Sequence, residues 1–377
     1  MKTHRIKFIK RAMFFLFITL ILLFLINAVY VNYILPEKNF YRKEIAYQNY
    51  ISNHSEIKYA FFGDSHPFHA INPKFIPGAF NFGSGTQNYV KTYYLLDRVV
   101  NKDNIKVDNV VLQIDLHTFS SWLVEEPFLF NELELYSKFV PLEDIREIRK
   151  NSSIASLWIE SNLPVIGKGK EFGIIFSPLN LSEMYEGWIK NPKDFSQINE
   201  TIRKERAYED YRVHFQGKER IDNLSLEYFL KTLKLAKENN INVILIEYPM
   251  SKEYKDMAEE YNLSDMDYYP KIFNATESIL GQNYYLLEYQ DLFLENPEYL
   301  GDTYHVNYKG AEILSKKIYQ DLIALNLSNK ESNNTIKLSH SNKKNYFLGI
   351  FLFLIFLTTF LIEVFLLILF FKRRKQQ

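Results

Sequence analysis

The sequence predicts an α/β fold built on a parallel sheet, on two observations. Three short runs, Ile57–Phe62, Val107–Ile114 and Ile241–Tyr248, are almost continuously apolar, as are parallel strands covered on both faces. Helical patterns lie between and after them: Tyr89–Val100, Ser225–Glu238 directly before the third run, and Lys309–Leu325. Strands alternating with helices indicate a parallel sheet. The interval from about 118 to 222 breaks this rhythm and holds all three tryptophans, Trp122, Trp158 and Trp188. An insertion over the carboxyl edge is where such folds place substrate-binding elements. Ordinary packing in a subdomain is the competing reading of the three indoles, and the sequence leaves both open.

The ends of the 377-residue chain read differently from its middle. Lys2, Arg5, Lys7, Lys10 and Arg11 precede a run from Ala12 to Leu35 that has no charge and only three strongly polar residues, Thr19, Asn27 and Asn32. At 1.5 Å per residue about 20 residues cross a bilayer, so the run is long enough. A cleaved signal has a shorter apolar core and small residues at its cleavage site; here Tyr30, Asn32 and Tyr33 stand there, and an uncleaved anchor is expected. A second run, Tyr346 to Phe371, is followed by Lys372, Arg373, Arg374 and Lys375. Glu363 interrupts it, and an acid at that depth is expected to face protein or water. Basic residues stay on the cytoplasmic side. The expected layout is therefore a cytoplasmic start and anchor over 1–36, an extracytoplasmic domain over 37–325, a polar linker over 326–345, and a second membrane helix with a basic tail over 346–377.

Formal net charge is zero over the whole chain. Setting aside the nine basic residues of the two ends and Glu363 leaves 36 basic against 44 acidic residues for the outer part. That acidic balance argues against nucleic acid as a partner, which wants a basic footprint. Cysteine is absent, so disulfides, thiol catalysis and thiolate metal sites are excluded. The outer domain must instead rely on an ordinary core, for which about 300 residues suffice.

The first apolar run stops in "AFFGDSHPFHA", residues 60–70. Glycine, aspartate and serine are ordinary turn and helix-cap residues, and a strand, a turn and a helix start explain them. A second reading makes Ser65 a nucleophile lifted out of the sheet edge, which then needs a base elsewhere. The far end of the chain supplies candidates in "YLGDTYHVNYKGAEIL", where Asp302 and His305 stand three apart just before the last predicted helix. That spacing lets one loop present both side chains together, with the carboxylate holding the imidazole in one tautomer. Ser65, Asp302 as orienter and His305 as base then make a triad.

These segments resemble the SGNH, or GDSL-type, hydrolases: "FFGDS" for the nucleophile block, "NFGSGT" (Asn81 to Thr86) for the glycine block and "DTYH" for the Asp-x-x-His block. The resemblance spans most of residues 55–325 outside the insertion. It implies a flavodoxin-like α/β/α sandwich and hydrolysis or transfer of O-acyl groups through an acyl-serine. It also implies oxyanion donors at the backbone N–H groups of Ser65 and Gly83. The third donor in the family is an asparagine side chain from a Gly-x-Asn block, and this sequence departs there: the strand ends "VVLQIDLHTF", which puts Asp115 and His117 in that place. His117 is the candidate substitute donor, with lining of the cleft edge as its other reading. A missing donor typically costs several kcal/mol, which weighs against efficient simple hydrolysis.

His66 and His69 beside Asp64 raise a metal alternative, but there is no His-x-x-x-His or His-Glu-x-x-His pair, so neither metal nor other cofactor is expected. Within the family the membrane tethers, "YPMSKEY" and "YLGDTYHVNYKGA" resemble the membrane-anchored cell-envelope members, such as the alginate O-acetylation and teichoic-acid D-alanyl transfer proteins. That resemblance implies an acyltransferase modifying a surface polymer, with a multi-spanning membrane acyltransferase as donor partner. An esterase of the same polymer is the alternative, and a non-catalytic scaffold or binding module a third. The topology is testable. A reporter fused after Gln377 is expected to report a cytoplasmic position, and activity seen only outside the cytoplasm would contradict the two-span layout.

Overall fold

The structure is a computed structural model that describes residues 2–125, 128–172, 184–261 and 267–325. It begins with α1 (Lys2–Val29), whose helical path continues through a wider turn at Tyr30–Ile34 and a short 3-10 turn to Glu37. Among the described residues this is the one helix long and apolar enough to cross a membrane. Thr19 Oγ1 and Asn32 Nδ2 donate to the carbonyls of Phe15 and Ala28, four residues back, so these two polar side chains are closed onto their own helix. Asn27 differs: its Nδ2 donates 3.0 Å to the carbonyl of Asn162. Tyr30, Ile34 and Leu35 bury against Val165. The second apolar run, Glu363 and the linker lie outside the described residues.

The rest alternates as expected, with more elements than the sequence announced. In chain order come α2 (Asn39–Asn53), β1 (Glu56–Phe62), α3 (Ser65–Ala70), β2 (Ala79–Asn81), α4 (Tyr89–Asp97) and β3 (Lys106–Gln113). The interval 118–222 then contributes α5 (Leu133–Tyr136), α6 (Leu142–Ile148), α7 (Ile154–Asn162), the two-stranded ribbon β4 (Met184–Tyr185) and β5 (Trp188–Ile189), and α8 (Glu200–His214). The rhythm resumes with α9 (Asn223–Glu238), β6 (Asn242–Glu247), α10 (Lys252–Glu260), α11 (Tyr268–Leu280), β7 (Tyr284–Glu288) and α12 (Tyr308–Ala324).

Five strands pair in the order β2-β1-β3-β6-β7, all parallel. Taken by position in the chain that is the 2-1-3-4-5 order of flavodoxin-type doubly wound sheets. Alternate residues of each strand enter two separate cores, because successive side chains point to opposite faces. Ala60, Phe62, Val110, Leu112, Val243 and Leu245 pack with Val90 and Leu96 of α4 and Phe229 and Leu233 of α9. Tyr59, Phe61, Val111, Ile244 and Ile246 pack with Leu314 and Ile318 of α12. Three layers result, with the sheet in the middle.

Two local features decide how the edges are held. The expected helix over 89–100 keeps α-helical bonding only to Asp97 and widens over Arg98–Lys102. There the Arg98 guanidinium donates to both carboxylate oxygens of Glu44 at 2.8 and 2.7 Å and lies 3.1 Å from Asp103, which clamps α2 to the end of α4. At the other edge, the turn of the β4–β5 ribbon sits on β2. Asn81 N–H donates 3.0 Å to Glu186 O, and Gly187 has φ +88° with its missing Cβ only 1.9 Å from Asn81 O. Only glycine permits that approach.

The strand order reverses between β1 and β3, since β1 pairs with β2 on one side and β3 on the other. Ligands of open α/β sheets bind in the crevice outside the carboxyl ends at such a point. Ser65 follows β1 and His117 follows β3, so both stand at that crevice.

Candidate active site

The turn that delivers Ser65 is held by one glycine and two side chains. β1 ends in Gly63, whose φ of +152° and whose 2.2 Å gap between a built Cβ and Gln113 Oε1 exclude any other residue. Gln113, at the end of β3, accepts the N–H of Asp64 at 2.8 Å. Asp64 caps α3 by accepting His66 N–H at 2.9 Å. Ser65 is therefore the first residue of the helix, half-buried, with its hydroxyl facing the other end of the chain.

That other end is as tightly tied. Leu300 and Val306 bridge, and Gly301 N–H donates 2.8 Å to His305 O. Asn307 caps α12 by accepting from Lys309 and Gly310 while its amide donates to Leu300 O at 3.1 Å. The loop so closed places His305 Nε2 2.6 Å from Ser65 Oγ. His305 Nδ1 lies 2.9 and 3.0 Å from the two oxygens of Asp302, which also accepts the backbone N–H groups of His305 and Tyr304. Burial alone would raise the Asp302 pKa, but the charge and hydrogen bonds of His305 outweigh it and hold the carboxyl well below the usual carboxylate range. The three residues thus form one continuous hydrogen-bonded line across 240 residues of sequence.

Beneath this line lies a second tier of histidine–carboxylate pairs, sealed from solvent. Asp64 Oδ2 and His117 Nε2 are 2.6 Å apart, each about 3% exposed. His66 Nδ1 is bonded to Asp115 Oδ2, and Asp115 accepts as well from Gln113 Nε2 and from Tyr248 N–H. Burial pushes the Asp64 carboxyl up, yet the charge of His117 and its hydrogen bond hold it well below the usual range. For His117 burial acts downward and the Asp64 carboxylate upward, and the carboxylate wins. Each partner thus shifts the other toward its charged form.

Several expectations about single residues change here. His117 was the candidate oxyanion donor through one of its ring nitrogens; its Nε2 lies 2.6 Å from Asp64 Oδ2. Its observed contact is with the carboxylate that caps α3. Gly83 was expected to offer its backbone N–H; that N–H donates 2.9 Å to Asn81 Oδ1. What fixes glycine at 83 is packing, since a Cβ would lie 2.6 Å from Pro67 Cγ and 2.8 Å from Phe68 N. Asn81 also donates to the carbonyls of Pro67 and Ile71, so it fastens the glycine loop to α3.

The three tryptophans separate. Trp188 Nε1 donates 2.8 Å to His69 O at the end of the Ser65 helix, and the His69 ring lies 5.6 Å from that of His305. Trp122 ends a file of rings running through His214 and Tyr304 to His305, at centroid spacings of 4.7, 5.1 and 4.2 Å. Trp158 has no ring contact with the triad among the described residues. It is 51% exposed on α7, a helix whose last residue is bonded to Asn27 of the apolar helix, because the insertion spreads from the crevice down to α1.

Asp64, His66 and His117 offer ligand atoms within 4.8 Å of one another. Asp64 and His117 are, however, 2.6 Å apart, hydrogen-bond distance. Two ligands of one zinc, each about 2.0 Å from the ion at a tetrahedral angle, stand about 3.3 Å apart. The cluster fits a proton better than a metal. Sequence reading passed over Gln113 altogether; its signal, a buried amide at the end of an apolar strand, points to no chemistry until Gly63 is seen against it.

No protein-family model matches the chain, and no curated protein matches it. Among solved structures, the crystal structure of a protein from Bacteroides fragilis described as a "putative acylhydrolase" aligns over 71% of this chain and 87% of its own, at 12% identity and a TM-score of 0.32. So distant a likeness says nothing of chemistry, which has to be read from the residues themselves.

The Asp64–His117 pair generates a test. Asp64→Ala removes the cap of α3 and leaves a buried imidazolium unpaired, so it is expected to cost about 3–5 kcal/mol in chemical denaturation. His117 has a folded pKa above its ordinary value of 6.5. Its stabilisation is complete below that value and is lost as pH rises through the folded pKa. Asp64 contributes oppositely, losing its share as pH falls. Wild-type Tm is expected to decline on the alkaline side of 6.5 and that limb to flatten in His117→Gln; an unchanged limb would show that the pair is not charged.

Proposed function

We propose that the chain is a serine-dependent O-acyltransferase of the SGNH type acting on a cell-surface polysaccharide or other envelope polymer. The observation that carries this reading is the unbroken Ser65–His305–Asp302 line at the switch point of the sheet. In the proposed cycle His305 Nε2 takes the proton of Ser65 Oγ as the oxygen attacks the acyl carbonyl of the donor. The same imidazolium then returns the proton to the leaving group, and the acyl group is held as an ester on Ser65. An acceptor hydroxyl loses its proton to His305 and attacks that ester; as the ester bond to Ser65 breaks, the acyl group passes to the acceptor and the imidazolium returns the proton to Ser65 Oγ, which restores the serine. Asp302 keeps the imidazole in one orientation and stabilises its positive form.

Transfer in place of hydrolysis requires that an acceptor be held in line and water kept out. Two features support the transferase over the esterase. The apolar N-terminal helix suits an enzyme working beside a membrane-borne donor, for which a multi-spanning acyltransferase is the proposed partner. The half-buried Trp188 lies against the helix of Ser65, where a flat ring suits a sugar. The two-span topology, with both ends cytoplasmic, is part of the same proposal.

One observation favours a second reading, a non-catalytic SGNH-like scaffold: of the expected oxyanion donors beyond Ser65 itself, the Gly83 N–H is bonded to Asn81 and the His117 Nε2 to Asp64. Activity in the first reading requires the glycine loop to release its N–H when an acyl group binds. The test is acyl transfer from a small activated ester to glycan oligomers, compared with release to water. Wild type is expected to favour the glycan, and Trp188→Ala to lower transfer about tenfold while lowering cleavage of the small ester less, since one stacked ring is worth ~1–2 kcal/mol. Faster loss to water than to every glycan offered would replace the transferase by the esterase.

A further inference from the structure

Lys43 occupies a position that nothing in the proposed chemistry explains. It lies on α2, only 6% exposed, and its Nζ has no hydrogen-bond partner among the described residues. An ammonium withdrawn from water without a partner costs several kcal/mol. The face of Phe68, 4.3 Å from Nζ to ring centroid, offsets only part of that. Burial accordingly pulls the pKa of this amine far down.

Lys43 is among the residues lining a cavity of about 360 Å³, with Phe68, Ser84, Gly85 and Asn131 among the other walls. That is within the size range of small-ligand sites, roughly 300–1,000 Å³. Its remaining charged walls are largely spoken for: Lys38 is bonded to Glu171, Glu132 to Lys91, and burial raises the pKa of Glu134 toward its neutral form. The cavity also stands at the shoulder of the triad. Phe68 is one turn after Ser65 on α3, and Ser84 N–H donates 3.1 Å to Gly63 O, in the turn before Ser65. His69, next to Phe68, feels the charges of both His305 and Lys43. Gly85, another wall of the cavity, faces open space.

We propose that Lys43 anchors an acceptor subsite that takes an anionic oxygen group of the polymer, carboxylate or phosphate, and so holds a neighbouring hydroxyl at Ser65. This rests on the acyl-transfer reading and adds the charge of its substrate. The arriving anion favours protonation of the buried amine, with the proton taken from solvent, and becomes the partner of the ammonium so formed; the dry surroundings strengthen the contact.

The test uses the full chain in detergent micelles with Ser65→Ala, so that binding is read without turnover. Calorimetric titration compares three probes: oligogalacturonate, an oligomer of glycerol phosphate, and an uncharged malto-oligomer of similar length. At least one anionic oligomer is expected to bind about tenfold or more tighter than the neutral one, and the better of the two identifies carboxylate or phosphate as the source. Lys43→Met and Lys43→Gln in the same background are expected to abolish that preference. Lys43→Met is not expected to lower Tm, because it exchanges an unpaired buried amine for an apolar side chain of similar length. Equal binding of neutral and anionic oligomers, or an anion preference that survives in a folded Lys43 variant, would overturn the subsite. Anion binding by Ser65→Ala with no transfer by wild type would instead refute the acyltransferase and leave the subsite standing.

Discussion

The Asp64 carboxylate, sealed beneath the turn between β1 and α3, carries two duties that compete for its oxygens. One oxygen caps α3 and thereby sets where Ser65 points; the other must be neutralised, since an unpaired buried carboxylate would cost several kcal/mol or take up a proton. His117, arriving from the end of β3, supplies the neutralising charge. Gln113 on the same strand fixes the backbone N–H of Asp64, and Gly63 is glycine because Gln113 leaves no room for a Cβ. The position of the serine is thus set by the pairing of β1 with β3. The His66–Asp115 pair, tied to β6 through Tyr248 N–H, extends the same support to a third strand.

This arrangement explains which parts of the molecule could be read from sequence. The three central strands were legible because they are covered on both faces and so are apolar throughout. The edge strands were not. β2 is three residues long, and β7, "YYLLE", is half-exposed at the sheet margin, so neither has the continuous apolar signal that burial imposes. Ser65, Asp302 and His305 were legible from local spacing and from resemblance to a family, each being placed by its own short turn. His117 and Gly83 were legible as residues near the crevice but not in their contacts. Whether an imidazole faces an oxyanion or a buried carboxylate depends on a partner 53 residues away, and no local pattern encodes that.

The insertion shows the same limit at larger scale. Its three tryptophans look alike in sequence, yet they end at three distances from the triad because the segment reaches from the crevice to the apolar helix. Trp188 is bonded to the helix of Ser65, Trp122 is joined to His305 only through two intervening rings, and Trp158 stands exposed on a helix held by Asn27. The last of these places part of the insertion against α1 at Asn27, within the apolar stretch of that helix. The cavity beside Lys43 begins close by, at Lys38, one residue beyond the end of the apolar helix.

The account stands on Ser65 being a nucleophile activated by His305. The most direct measurement is reaction of the full chain with an organophosphonate probe, with the modified residue located by mass spectrometry. The account predicts a single adduct on Ser65 in wild type, with labelling slowed by orders of magnitude in His305→Ala, because the hydroxyl loses its base. An unlabelled Ser65 in a folded protein, or labelling that His305→Ala leaves unchanged, would contradict it.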